Sequence, residues 1–183
     1  MEENPWKIRS KQTIYENKWL RLDEHAVTNP AGNPGIYGTV HFKQLAIGIL
    51  PLADNGDTWL VGQYRFPLKE YSWEIPEGGG ALDIEPLESA RRELLEETGL
   101  VATEWTPLAG FVTSNSVTDE RAILFIARGL TEKESHPDEE EKLEIKRLPF
   151  LEAFQMAMDG RITDSLTLVA LMKARLLMLE DRL

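Results

Sequence analysis

Nine consecutive residues, Arg92-Glu93-Leu94-Leu95-Glu96-Glu97-Thr98-Gly99-Leu100, hold the densest chemistry in this chain. On an α-helix, residues three and four apart are neighbours, so Glu93, Glu96 and Glu97 crowd their carboxylates onto one side. Like charges at that spacing cost a bare helix about 0.2–0.5 kcal/mol per pair. Two arrangements relieve the repulsion: solvent together with Arg91 and Arg92, or a bound divalent cation. The first makes the helix an ordinary acidic surface. The second makes it a metal-binding edge, since a hard cation such as Mg²⁺ takes oxygen ligands. Leu87, Ala90 and Leu94 form an adjacent apolar stripe suited to packing on a sheet. Such packing holds the carboxylate edge still.

The surrounding elements follow from local signals. Pro86 near the first turn and Gly99 just past the end bracket a helix. Before it, Trp73-Glu74-Ile75-Pro76-Glu77-Gly78-Gly79-Gly80 reads as a short strand breaking into a glycine loop that leads into that helix. From Trp6 to about Phe42 the chain reads as short strands, with a strong turn at Asn29-Pro30-Ala31-Gly32-Asn33-Pro34-Gly35. Gln44 to Leu52 suits a buried strand, and Asp54-Asn55-Gly56-Asp57 a hairpin turn into a strand from Thr58 to Arg65. Strands are also expected over 101–112, 122–127 and 143–148, and helices over 151–158 and 165–179. This order predicts an α+β layered domain with a small β-rich N-terminal part.

Composition bounds the function. The 183 residues correspond to about one domain. The net charge of −11 disfavours sequence-independent nucleic-acid binding, which needs basic groups on phosphates. It leaves room for a phosphate-bearing substrate bridged to carboxylates by a divalent ion. No apolar run approaches the roughly 20 residues of a membrane helix. The start, Met1-Glu2-Glu3-Asn4-Pro5, lacks signal-peptide features, and the chain has no cysteine. Cytoplasmic location is the default expectation.

The segment Gly78 to Leu100 resembles the Nudix box, G-x5-E-x7-R-E-U-x-E-E-x-G-U, where U is a bulky apolar residue. It matches at Gly78, Arg92, Glu93, Leu94, Glu96, Glu97, Gly99 and Leu100. It departs at the first Glu, where Ile84 stands between Asp83 and Glu85. Gln63-Tyr64-Arg65, Trp73 to Gly78 and Ser114 to Arg121 are similar to the ADP-ribose pyrophosphatase and nucleoside-diphosphate-sugar branch. The resemblance implies a Nudix-type α/β/α sandwich with a mixed sheet and Mg²⁺-dependent (or Mn²⁺-dependent) hydrolysis of a nucleoside diphosphate sugar. It also implies a homodimer with exchanged N-terminal strands, so that residues 1–43 form an N-terminal β region and 44–183 the hydrolase domain.

In that branch the metal ligands map to Glu93, Glu97, Glu96 and the carbonyl of Glu77. The general base maps to a late loop holding Glu139, Glu140 and Glu141, with Glu139 or Glu140 as base and Glu141 as an additional ligand. Arg92 is expected to orient the box carboxylates, or to make a helix salt bridge to Glu88 or Glu96. Arg65, ending a strand beside the glycines, is the candidate phosphate-binding cation, with Gly78 beside it. Trp6, Tyr15, Trp19 and Tyr37 are candidates to stack on the base, against simple packing. Asp119 and Glu120 are candidates for sugar hydroxyls. His25, His41 and His136 read as scattered, with no triad or zinc site. Other nucleotides (a triphosphate, a dinucleoside polyphosphate, coenzyme A) and a non-catalytic nucleotide-sensing module remain as alternatives.

Overall fold

A computed structural model describes residues 3–133 and 143–183. Its centre is a mixed four-stranded sheet. β4 (Gln44–Pro51) runs parallel to β9 (Arg121–Glu132), while β7 (Glu77–Ala81) and β8 (Leu100–Val112) flank them antiparallel, in the order β7-β4-β9-β8. Alternation along a strand sends successive side chains to opposite faces. Ile47, Ile49, Phe125 and Ala127 therefore face one side and meet Ala90 and Leu94 of α1 (Pro86–Thr98). Leu50, Leu52, Leu124 and Ile126 face the other and meet α2 (Phe150–Met158) and α3 (Ser165–Leu179) through Ala153, Met156, Leu166 and Leu171. Both faces are covered, which is why β4 is almost wholly apolar. The result is an α/β/α sandwich.

Two smaller sheets complete the chain. β5 (Asp57–Arg65) pairs with β6 (Glu70–Glu74) and β10 (Glu144–Pro149). β1 (Lys7–Glu16), β2 (Leu20–Thr28) and β3 (Pro34–Phe42) form an antiparallel N-terminal sheet. The 29–35 turn forms as its residues dictate, with the Asn33 amide donating to Asn29 Oδ1 at 2.9 Å. Among the described residues, no helix is long and apolar enough to cross a membrane.

Two local expectations change. Ala53 to Asp57 does form a tight turn, with Ala53 N–H donating to Asp57 O at 2.9 Å. It is not a hairpin, because β4 and β5 enter different sheets. Nor do the glycines after Pro76 form a loop. Glu77 to Ala81 pairs with β4 from Gly48 to Gln44 as a regular edge strand. Glycine suits that strand because neighbouring side chains occupy the space where its Cβ atoms would lie: Glu93 at Gly78, Gln44 at Gly79 and Ile47 at Gly80.

Candidate active site

The site is built where α1 crosses β7. Gly99 adopts the left-handed conformation (φ 70°) and its N–H donates to Leu95 O at 2.9 Å, ending the helix after Thr98. Ala90 and Leu94 are fully buried, and truncating Leu94 to Ala would cost about 2–5 kcal/mol. The helix is thereby fixed against the sheet, and Glu93 and Glu97, one turn apart, are presented at its buried edge with 8% and 4% exposure. Glu93 lies over Gly78 so closely that a Cβ there would collide with its carboxylate. The N–H of Glu77 donates to Glu97 Oε2 at 2.9 Å. Glu96 stands further out, more accessible to solvent.

Arg92 ties these groups together. Its Nη2 donates to Glu93 Oε1 at 2.5 Å and to Gly79 O at 2.9 Å, and its Nη1 to Glu96 Oε2 at 2.7 Å. It thus spans two box carboxylates, and one of those contacts is the helix pair to Glu96. Burial opposes its charge, but the Glu93 and Glu96 carboxylates outweigh burial and hold the guanidinium more firmly protonated than usual. Arg91 pairs with Glu88 instead, at 3.6 Å. Of the residues around the missing first box glutamate, Ile84 is half exposed, and Glu85 precedes Pro86 at the helix start without a side-chain capping bond.

A second acidic group adjoins the first. Carboxylate oxygens of Glu74, Glu77 and Asp164 converge within 4.8 Å of one another. Arg65 enters this group: its Nε donates to Glu74 at 2.9 and 3.0 Å and its Nη2 to Glu77 Oε1 at 2.8 Å and also to Glu74. The candidate phosphate cation is thus largely engaged with carboxylates, and among the described residues Nη1 makes no hydrogen bond. Burial lowers its proton affinity, yet the bond to Glu74 and the surrounding carboxylates more than reverse that. Burial raises the Glu77 carboxyl well above the usual range, with Asp164 and Glu74 adding to the effect and Arg65 opposing it. Its Oε2 is buried and has no hydrogen-bond partner among the described residues.

These carboxylates open into two adjoining clefts. One, of about 280 Å³, is lined by Gly78, Arg92, Glu93, Glu96 and Glu97. The other, of about 450 Å³, is lined by Gln63, Arg65, Thr113, Glu120 and Asp164. Trp19, Gln44, Glu77, Gly78 and Gly79 border both. Glu120 is therefore at the site, accepting from Thr113 Oγ1 at 2.7 Å. Tyr37 is not: it borders a separate apolar cleft of about 230 Å³ with Trp6, Ile8, His25 and Val27, and its hydroxyl donates to Ser116 O at 2.6 Å. Tyr15 is exposed on β1. Glu139, Glu140 and Glu141 lie outside the described residues.

The donor set fits a hard divalent ion. Glu93, Glu96 and Glu97 offer an anionic, all-oxygen set, and beside it lies the buried Glu77 Oε2, which has no hydrogen-bond donor among the described residues. Glu74 and Asp164 were not expected from sequence. Asp164 was legible as the N-cap of α3, where it accepts from Thr167 N–H at 2.7 Å; its closeness to Glu77 was not. The histidines also need correction, for His25 and His41 are not scattered. They meet the buried Asp23 across β2 and β3, with His41 Nε2 at 3.0 Å from Asp23 and His41 Nδ1 at 2.7 Å from Asp119. Asp119 thus joins the loop before β9 to the N-terminal sheet. Lys11 and Arg21 also pair with Asp23, so its carboxylate is already neutralised.

Comparison with known proteins agrees with this geometry. The NUDIX domain family matches residues 42–167, and the nucleoside diphosphate sugar hydrolase N-terminal domain matches residues 6–40. A methanol dehydrogenase activator of Bacillus methanolicus is 35% identical, covering 89% of this chain and 88% of the relative. ADP-ribose pyrophosphatases of Mycobacterium tuberculosis and Bacillus subtilis are 31% and 30% identical, covering 94% and 90% of this chain and 84% and 90% of the relatives. A solved structure of an ADP compounds hydrolase superposes with a TM-score of 0.87 over all of both chains at 20% identity, which speaks for the fold. With the box carboxylates gathered on one buried helix edge and the family match spanning sheet and helices alike, this chain belongs to the Nudix hydrolase family.

Proposed function

We propose that the protein hydrolyses the diphosphate bridge of ADP-ribose or a related nucleoside diphosphate sugar, giving a nucleoside monophosphate and a sugar phosphate. The observation that carries this reading is the pair Glu93 and Glu97, buried together against the glycine strand β7. The N-terminal match to nucleoside diphosphate sugar hydrolases and the relatives named for ADP-ribose support the substrate class.

Glu93, Glu97 and the main-chain carbonyl of Glu77 would hold Mg²⁺ or Mn²⁺, with Glu96 joining. When bound, the ion neutralises the diphosphate charge and lowers the pKa of water. Arg92 keeps Glu93 and Glu96 in place, and the Glu77 amide does the same for Glu97. Arg65 Nη1, which makes no hydrogen bond among the described residues, would donate to a phosphate oxygen, and Glu120 would accept hydrogen bonds from sugar hydroxyls. Glu139 or Glu140 accepts the proton of the attacking water, with Glu141 as a further metal ligand. Water oxygen bonds to one phosphorus, the bridging P–O bond breaks, and the bridging oxygen leaves with the other phosphate.

The reading includes a cytoplasmic homodimer with exchanged N-terminal strands, divided at residues 43 and 44. The exposure of every β1 residue supports a second copy covering that sheet. Incubation with ADP-ribose, ADP-glucose and GDP-mannose, with and without Mg²⁺, tests the proposal. Metal-dependent release of monophosphate in step with sugar phosphate is expected. No release from any of the three rejects the substrate class.

A further inference from the structure

Glu120 reaches the second cleft on the loop that joins β8 to β9, residues 113–120. Inside the loop, Thr113 Oγ1 donates to Glu120 Oε2 at 2.7 Å, and Glu120 N–H to Thr118 Oγ1 at 3.0 Å. The loop as a whole is placed by β3 of the N-terminal sheet. Val40 N–H donates to Val117 O at 2.8 Å, and Asp119 N–H to Val40 O at 3.3 Å. The Asp119 carboxylate closes the contact with both oxygens: Oδ1 accepts Phe42 N–H at 3.1 Å, and Oδ2 lies 2.7 Å from His41 Nδ1. Asp119 thus faces the sheet while Glu120, next along the chain, borders the cleft together with Phe42.

His41 makes this contact a fixed one. An exposed ion pair gains little, because two mobile side chains must be ordered to meet. The Asp119 side chain is 57% exposed, but the His41 ring is already anchored from behind. Its Nε2 lies 3.0 Å from Asp23 Oδ2 and 3.2 Å from Thr39 Oγ1, and Thr39 Oγ1 lies 2.9 Å from His25 Nε2. Asp23 is itself fully buried and tied to Lys11, Thr13 and Arg21. The imidazole therefore has little freedom left to lose when Asp119 docks on it. Burial pushes the Asp119 carboxyl up, but the bonds from His41 and Phe42 outweigh burial and hold it below the usual aspartate range. It stays a carboxylate, which only accepts, so the Nδ1 facing it carries the proton and donates.

We propose that His41 is a positioning residue for the sugar end of the substrate: by holding Asp119 it sets the loop so that Glu120 meets the sugar hydroxyls. This rests on the reading of the site as a nucleoside diphosphate sugar hydrolase and deepens it. The test compares wild type with His41→Ala, His41→Asn and His41→Gln, after melting curves establish that each is folded. Lys11, Thr13 and Arg21 still satisfy Asp23 in all three, so the fold should survive. Asn carries its amide nitrogen as many bonds from Cβ as Nδ1 and keeps the donor to Asp119. Gln carries it as far out as Nε2 and keeps only the donor to Asp23. His41→Ala should raise KM for ADP-glucose and GDP-mannose about tenfold, the scale of one lost hydrogen bond, with kcat changed far less. His41→Asn should recover most of that loss and His41→Gln little of it. In a Glu120→Ala background His41→Ala should cost nothing further, because it acts through Glu120. Hydrogen exchange gives a readout independent of turnover: amides of residues 113–120 should exchange about tenfold faster in His41→Ala and His41→Gln than in wild type and His41→Asn. Unchanged KM or unchanged exchange in His41→Ala, equal losses in the Asn and Gln variants, or a loss that adds in full to that of Glu120→Ala each overturn the proposal. Failure of wild type to hydrolyse any sugar nucleotide counts against the activity itself, and the exchange comparison still decides whether His41 positions the loop.

Discussion

The main-chain N–H of Glu77 donates to Glu97 Oε2 across 2.9 Å, so the last carboxylate of the box is fixed by the strand that comes 20 residues earlier. One position thus serves both acidic groups. Its backbone holds Glu97, and its side chain turns to Arg65, Glu74 and Asp164. Replacing Glu97 by Gln keeps the size and the acceptor while removing the charge. We expect kcat to fall by about 10²–10³-fold, the scale for loss of one preorganised electrostatic group. Circular dichroism and melting temperature should stay near wild type. Near-normal turnover would remove the box from the mechanism.

Gly78→Ala tests the close approach of strand and helix. A Cβ at this position would meet the Glu93 carboxylate, the flexible end of a side chain, rather than backbone. The side chain can therefore move aside, and the fold should survive. The cost should fall on activity, about 10²-fold, because a displacement near 1 Å at a reacting centre has that effect. Steady-state kinetics alongside thermal melting separates the two outcomes.

Arg92→Lys tests whether the fork geometry matters. A guanidinium donates to Glu93, Glu96 and Gly79 O at once, whereas an ammonium is a compact point charge that cannot span them. Activity titrated against Mg²⁺ should shift to about 10–100-fold higher metal concentration, as when an outer partner of a ligand is lost. An unchanged titration would reduce Arg92 to an ordinary helix ion pair.

Asp23 predicts a pH dependence of stability rather than of chemistry. Burial pushes its carboxyl upward, but hydrogen bonds from Lys11, Thr13 and Arg21 outweigh burial and hold it well below the usual aspartate range. A carboxyl depressed on folding stabilises above its unfolded pKa and loses that contribution as pH falls towards its folded value. The melting difference between wild type and Asp23→Asn should therefore be largest near neutrality and shrink below about pH 4. A difference that grows on acidification would contradict the assignment.

The parts of this molecule legible in the sequence are those fixed by neighbours along the chain. Pro86, Gly99 and the stripe of Ala90 and Leu94 specify α1 locally, and Glu93 and Glu97 follow from its period. What was not legible depends on distant partners. The 54–57 turn is local, but whether β4 and β5 pair is decided by β7, β9 and β10. Three glycines in a row read as a loop until Glu93, Gln44 and Ile47 are seen to fill their side-chain space. Arg65 reads as a phosphate-binding cation until Glu74 and Glu77 are seen to take its Nε and Nη2. His41 reaches Asp23 only through the antiparallel register that sets Asp23 opposite Thr39.

The most direct test of the central claim is the anomalous signal of Mn²⁺ in crystals soaked with the ion and a non-hydrolysable ADP-ribose analogue. The account predicts a peak between Glu93, Glu97 and the analogue's diphosphate. A well-bound diphosphate with Mn²⁺ elsewhere, and that helix edge free of metal, would contradict it.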